Sequence, residues 1–180
     1  MKYAGNLFIL MAAILGLSQI SVNAQGFSQR NLERKVFKEI IRLPYYGVFD
    51  HIAFRVDGDT VTLMGKVVQP TTRKSAERVV DGIDGVKNVV NNIEVLPLSN
   101  FDDSIRRRTL QTLQTGGGSL YRYFLGANPS VKIIVDGGNV SLEGFVANRG
   151  DANLANILAN GVSGVFSVRN NLIVENERLR

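Results

Sequence analysis

The sequence predicts an α+β protein built from two tandem αββαβ units, each a three-stranded sheet packed with two helices. Three observations lead there. Residues Val56–Val95 align with Val135–Val174 without a gap, and 15 of the 40 positions are identical, so one structural unit is written twice. Within each copy the apolar period is two, then lengthens to that of a helix, then returns to two. A further stretch of helical period precedes each copy.

The chain has 180 residues and opens on a leader-like segment. Lys2 is followed by the apolar run Leu7–Leu17, and Val22 and Ala24 occupy the two positions a signal peptidase reads. Residues 1–24 are expected to be a signal peptide cleaved after Ala24, placing the protein in the periplasm. The run falls short of the roughly 20 apolar residues that span a bilayer; a retained anchor is the alternative. One of the 21 basic residues, Lys2, lies in the leader, so 20 basic and 16 acidic residues remain and the net charge falls from +5 to +4. The excess is spread over both halves, which is no nucleic-acid footprint. Cysteine is absent, excluding disulfide staples and the attachment point of a lipoprotein's lipid.

The elements follow in order. Leu32, Val36 and Ile40 share one helical face, and Leu43-Pro44 is expected to end that helix. Ile52, Phe54 and Val56 alternate into a strand, Asp57-Gly58-Asp59 turns the chain, and Val61, Leu63, Gly65 and Val67 alternate back. Ala76, Val79, Val80 and Ile83 return to helical spacing, with Thr71 or Thr72 as the expected N-cap and Gly82 and Gly85 as the close. Val89, Ile93 and Val95 make the last strand. In the second unit Ile105, Thr109 and Leu113 mark the first helix, stopped by Gly116-Gly117-Gly118. Val131–Val135 and Val140–Val146 form the hairpin around Gly137; Ala155, Leu158, Ala159 and Val162 form the next helix, with Asp151 as candidate cap and Gly161 and Gly164 as close. Val168, Leu172 and Val174 end the unit. The units are placed at 28–96 and 102–175, joined by 97–101, where Pro97 stiffens the connection. The strand order is left open. Gly65 and Gly144 sit in the apolar phase of strands, where glycine weakens the element; close approach of a helix, or a bulge, would account for them.

The pattern V-x-V-x-DG-x-VTL-x-G-x-V, an alanine-bearing helix, then GV-x-x-V-x-N-x-I-x-V resembles a BON domain. VDGDTVTLMGKV with GVKNVVNNIEV carries the match, and VDGGNVSLEGFV repeats it more loosely. The resemblance covers nearly all of the chain after the leader. It implies the αββαβ fold, export, and association with envelope integrity, osmotic stress and phospholipid membranes, with some members acting as periplasmic chaperones. It implies no catalytic centre.

Residues that carry chemistry are correspondingly few. His51 is the sole histidine, and without cysteine the usual zinc sets cannot assemble. The triple glycine at 116–118 lacks the lysine of a phosphate loop and reads as a flexible helix stop. Asp102-Asp103 opens a helix, where acids complement the dipole, and Asp57 and Asp59 lie in a turn. No catalytic residue, cofactor or metal is expected.

The two units differ most between their first helix and first strand, where the second carries about six extra residues in GGGSLYRYFLGANPS. Tyr121, Arg122, Tyr123, Phe124 and Leu125 are the candidate contact with a membrane or partner, supported by Arg106 and Arg107, which are expected to face outward from the preceding helix. The alternative has the aromatics packing inward. Gly58, Gly65, Gly85, Gly137, Gly144 and Gly164 are the structural glycines. The expected function is non-enzymatic binding of anionic phospholipid or the membrane surface in envelope maintenance. A periplasmic chaperone or adaptor for protein clients and a structural spacer in an oligomer are the alternatives.

Overall fold

The computed structural model describes the backbone of residues 20–175 and the side chains of residues 29–175. Most of the expected leader, residues 1–19, lies outside the described residues. The elements run α1 (Ile20–Ile40), β1 (His51–Asp57), β2 (Thr60–Val67), α2 (Pro70–Asp81) and β3 (Asn88–Val95), then α3 (Asn100–Thr115), a short 3-10 helix (Leu120–Phe124), β4 (Val131–Asp136), β5 (Asn139–Val146), α4 (Arg149–Asn160) and β6 (Ser167–Val174). Each unit is an α+β unit of helix, hairpin, helix and strand.

The order that the sequence leaves open is β1-β2-β3 and β4-β5-β6. The hairpin strands pair antiparallel, and the third strand joins the middle one in parallel. A parallel neighbour needs a crossover, which α2 and α4 supply. The helices cover one face of each sheet. Leu32, Val36, Ile40, Val61, Leu63, Ala76 and Val80 fill the first core; Ile105, Leu113, Ile133, Leu142, Ala155 and Ala159 fill the second.

The strand glycines have a different cause from the one expected. Gly65 and Gly144 have φ of 121° and 107°. A Cβ there would stand 2.1 Å from the carbonyl oxygen of His51 and 2.0 Å from that of Ser130. The close neighbour is the backbone of the adjoining strand, not a helix. The register runs through Ile52↔Gly65 and Val131↔Gly144 without an inserted residue, which also removes the bulge. The hairpin tips diverge: Gly58 alone is left-handed in the first, while Gly137 and Gly138 both are in the second.

Three further expectations are corrected. Gln69 is the N-cap of α2, with Pro70 opening the helix and Thr72 buried below it. Asn148, not Asp151, caps α4; its side chain accepts from the Asp151 N–H. Helix α1 ends at Ile40, ahead of Leu43-Pro44. Gly116 and Gly117 do stop α3, but they let it approach α4: a Cβ on Gly117 would meet Leu154 Cδ2 at 2.6 Å, and one on Gly116 would meet Leu158 Cδ2 at 3.0 Å.

The two units touch along the edges of β1 and β4. The segment before β1 reaches across, with Val48 accepting a hydrogen bond from Ile133 N–H at 2.8 Å. Val48 and Phe49 pack against the second core. Lys66 pairs with Asp136 at 2.6 Å. Lys132 is buried in the seam, donating to the Gly47 carbonyl at 3.0 Å with its ammonium 4.3 Å from the Tyr46 ring centroid. Burial pulls the Lys132 amine down to about 8, with Asp50 partly opposing it. The charged form is thus disfavoured in the folded state, so the unfolded chain binds more protons from about pH 8 to about 10.5. Stability attributable to this residue therefore rises with pH across that window. Lys132→Met is expected to flatten the rise, which should be about 1–2 kcal/mol after discounting the charge that water still reaches. Denaturant melts of both proteins at pH 7.5 and 10.5 measure it; parallel curves would refute it.

Candidate functional site

The inserted segment of the second unit folds onto its own domain. Leu120, Tyr123 and Phe124 of the 3-10 helix are buried in the second core, whereas Tyr121 and Leu125 are about half exposed. The expected contact surface is therefore split. With three residues per turn, Leu120 and Tyr123 share the inward side of the tight helix, and Phe124 is buried beside them.

A carboxylate organises this closure. Asp151, buried at the first turn of α4, accepts from Ser119 Oγ at 2.7 Å, from Asn148 Nδ2 at 3.0 Å, and from Arg122 and the Tyr123 hydroxyl. Burial by itself would raise the Asp151 pKa, but the bonds from Tyr123, Ser119 and Arg122 outweigh it and hold the carboxyl below the usual range. Arg122 is raised by its bonds to Tyr123 and Asp151. The Tyr123 hydroxyl also accepts the Ala147 N–H at 2.9 Å. The first unit solves the same problem differently: the equivalent amide, Val68 N–H, donates to Asp50 at 2.7 Å. Tyr123 replaces Asp50 as the acceptor of this amide.

Arg106 is 3% exposed rather than outward-facing. Its guanidinium donates to the carbonyl of Val135 on edge strand β4 at 2.8 Å and pairs with Asp103 at 2.5 Å. In the first unit Gln29 donates to the matching carbonyl of Val56. One hundred degrees from Ile105, the position lies on the flank of the core face, and the long side chain reaches back to the strand. Arg107 is exposed as expected. Asp102, expected only to complement the helix dipole, instead accepts the N–H groups of Gly137 and Gly138 at 3.0 and 2.8 Å and ties the hairpin tip to α3.

The repeated Asn91 and Asn170 have matching duties at the open edges. Each accepts its own strand's N–H two residues on, at Ile93 and Leu172, and donates to a carbonyl of the covering helix, at Arg73 and Ala152. Shallow clefts lie at equivalent places along β3 and β6. His51 opens β1 in the seam, where burial lowers its pKa, Glu143 raising and Lys132 lowering it further. Among the described residues no cluster of three or more His, Cys, Asp or Glu could hold a metal ion, and no helix is long and apolar enough to cross a membrane.

The exposed feature that sequence reasoning missed is an aromatic pair at the hairpin end of the second unit. Phe101 on α3 and Phe166 before β6 place their ring centroids 5.8 Å apart, and they are 46% and 72% exposed. They close over Gly138, where a Cβ would meet Phe166 at 2.6 Å. Gly164 lies beside Phe101 and Ile105, whereas Gly85 lies beside Leu32. The signal was in the repeat: Phe166 stands where the first unit has Lys87, which pairs with Asp59 at 2.8 Å, and Phe101 stands where it has Ser28.

Comparison with known proteins matches this architecture to one family. A search of curated proteins returns no match. Among solved structures, the chain is similar to the C-terminal domain of CdsD, the structural protein of the type III secretion system of Chlamydia trachomatis, at 14% identity and a TM-score of 0.29, covering 81% of this chain and 98% of that one. A second structure of CdsD gives 12% identity and a TM-score of 0.28, with 83% and 95% covered. The family model described as the BON domain matches residues 28–97 and again 120–176. With both of its units matched, the chain belongs to the BON domain family.

Proposed function

We propose that this is a non-enzymatic, exported envelope protein whose second BON unit binds anionic phospholipid surfaces. The observation that carries the reading is the Phe101–Phe166 pair, two large apolar rings held outside the core. Burial of either ring would remove substantial apolar area from water. Arg108, seven residues after Phe101, comes round to within about 20° of it on α3, and Arg107 and Arg108 are both exposed. Aromatic rings flanked by basic side chains suit the headgroup region of an anionic bilayer. At roughly 1 kcal/mol per basic residue near such a surface, the arginines alone attract weakly, so the rings supply the affinity. Tyr121 and Leu125, which stay about half exposed, stand apart from this pair in the chain.

Flotation with vesicles of anionic or neutral lipid tests the reading. The protein without residues 1–24 is expected to float with anionic vesicles at low salt and to lose most of that binding as Phe101→Ser/Phe166→Ser. Failure of the unaltered protein to float at low salt would remove lipid as the ligand. Equal flotation of both proteins would remove the aromatic pair.

A further inference from the structure

We infer that the first unit carries a second membrane-reading surface, formed by the outer face of α1 and the turn after it, and that its occupant is the headgroup layer of an anionic phospholipid bilayer. The inference rests on the reading above in one respect only, that the protein meets such a surface.

The inward positions Leu32, Val36 and Ile40 fix the direction of the core. At 100° per residue, Arg34 and Lys38 then lie on the opposite side of α1, with Phe37 and Ile41 on one shoulder and Lys35 and Arg42 on the other. Arg34, Lys35, Lys38 and Arg42 are exposed, and so is Phe37. Glu39 pairs with Arg42 at 3.7 Å, and Lys35 reaches the Asp84 carbonyl at 3.4 Å. Arg34 and Lys38 are therefore the charges that the centre of this face turns outward.

The turn supplies an independent observation. Tyr46 N–H donates to the Leu43 carbonyl at 3.3 Å, closing a turn with Pro44 and Tyr45 at its centre. Tyr45 has φ of 65°, a left-handed conformation that no other non-glycine residue adopts among those described. A turn with proline second favours glycine third. Tyrosine there is strained, and strain kept at one position directs attention to function. The ring contributes little to the fold, being 78% exposed. Its neighbour Tyr46 differs: its ring covers Lys132 and its hydroxyl accepts the Ile52 N–H.

The second unit extends the surface. Asn128 Nδ2 donates to the Ile41 carbonyl at 2.8 Å, holding the inserted segment against the end of α1, and Leu125 is exposed three residues before it. A helix face is convex and offers a peptide no groove. Outward cations beside Phe37, Tyr45 and Leu125 match a broad anionic layer into which amphipathic rings can settle.

Titration with anionic and neutral vesicles tests the inference on four proteins: the unaltered protein, Tyr45→Gly, Arg34→Gln/Lys38→Gln, and Phe101→Ser/Phe166→Ser. Tyr45→Gly is expected to hold or raise the melting temperature while weakening anionic-vesicle binding several-fold, a combination that a merely structural tyrosine would not produce. Removing the two charges is expected to weaken binding roughly thirtyfold at low salt. Unaltered binding by both first-unit variants, with loss confined to the Phe101/Phe166 variant, overturns the inference and leaves the proposed function standing. If the unaltered protein binds no vesicles, both fall.

Discussion

Gly144→Val is expected to destabilise the second unit by at least about 3 kcal/mol, a large share of the 5–15 kcal/mol that holds a typical domain together. Two independent costs combine. The φ of 107° at this position is one that a β-branched residue avoids. The new Cβ would also stand 2.0 Å from the Ser130 carbonyl oxygen, 3.1 Å from its carbon and 3.4 Å from Val131 Cα. All three are backbone atoms, so no rotamer change relieves the clash. The Ser130 oxygen is further held as acceptor of the Phe145 N–H at 3.0 Å. Relief therefore requires β4 and β5 to part. Gly65→Val repeats the experiment in the first unit, where the His51 oxygen lies 2.1 Å away. Gly58→Ala is the control: φ is 61° but nothing lies within 4 Å of the added carbon, so it bears only the backbone cost of about 1 kcal/mol. For units this small, about 3 kcal/mol should lower the melting temperature by more than 10 °C. A shift below 5 °C in both valine variants would show that the strands separate at little cost.

The glycines illustrate where the sequence was legible and where it was not. A glycine in the apolar phase of a strand announces crowding, and its repetition 79 residues later announces that the crowding belongs to the fold. Which atom does the crowding depends on strand register, and periodicity carries no register. The helices and hairpins were readable because each rests on a local period that Leu32, Val36 and Ile40 or Val61 and Leu63 display unaided. The β3 and β6 positions rest on non-local pairing, so their order waited for coordinates. Arg106 went astray for a related reason: its Cα direction was readable, but a side chain that long is placed by what it can reach, the Val135 carbonyl. The candidate surface was the least legible. Aromatic content drew attention to residues 121–125, yet exposure depends on which way each ring turns, and the 3-10 helix turns Tyr123 and Phe124 inward. Comparing the copies would have done better. Phe at the places of Lys87 and Ser28 puts apolar rings where the fold itself tolerates polar groups, and such a change asks for a reason outside the core.

Asp151→Ala is the second large expected effect, about 2–4 kcal/mol, and it shows how the insertion was accommodated. Pro129 stands where the first unit has Asp50, so the amide after the hairpin, Ala147 N–H, needs another acceptor. The Tyr123 hydroxyl provides it and in turn donates to Asp151. Removing the carboxylate strands Ser119, Asn148, Arg122 and Tyr123 together; buried donors without partners cost about 1–3 kcal/mol each, partly recovered by water at the exposed arginine. The pH dependence fixes the sign. The folded Asp151 pKa lies below the unfolded value near 4 because its hydrogen bonds outweigh burial, so its contribution is present above pH 4 and fades as pH falls through the folded value. The stability gap between the unaltered protein and Asp151→Ala should therefore narrow as pH falls below about 4. Tyr123→Phe should destabilise by orphaning Ala147 N–H, and the double variant should cost less than the two single losses together, since both break one chain of bonds. Chemical denaturation of the three variants at pH 7 and pH 3.5 decides it. Strict additivity, or a gap that does not change with pH, would refute the chain of bonds from Asp151 through Tyr123 to Ala147.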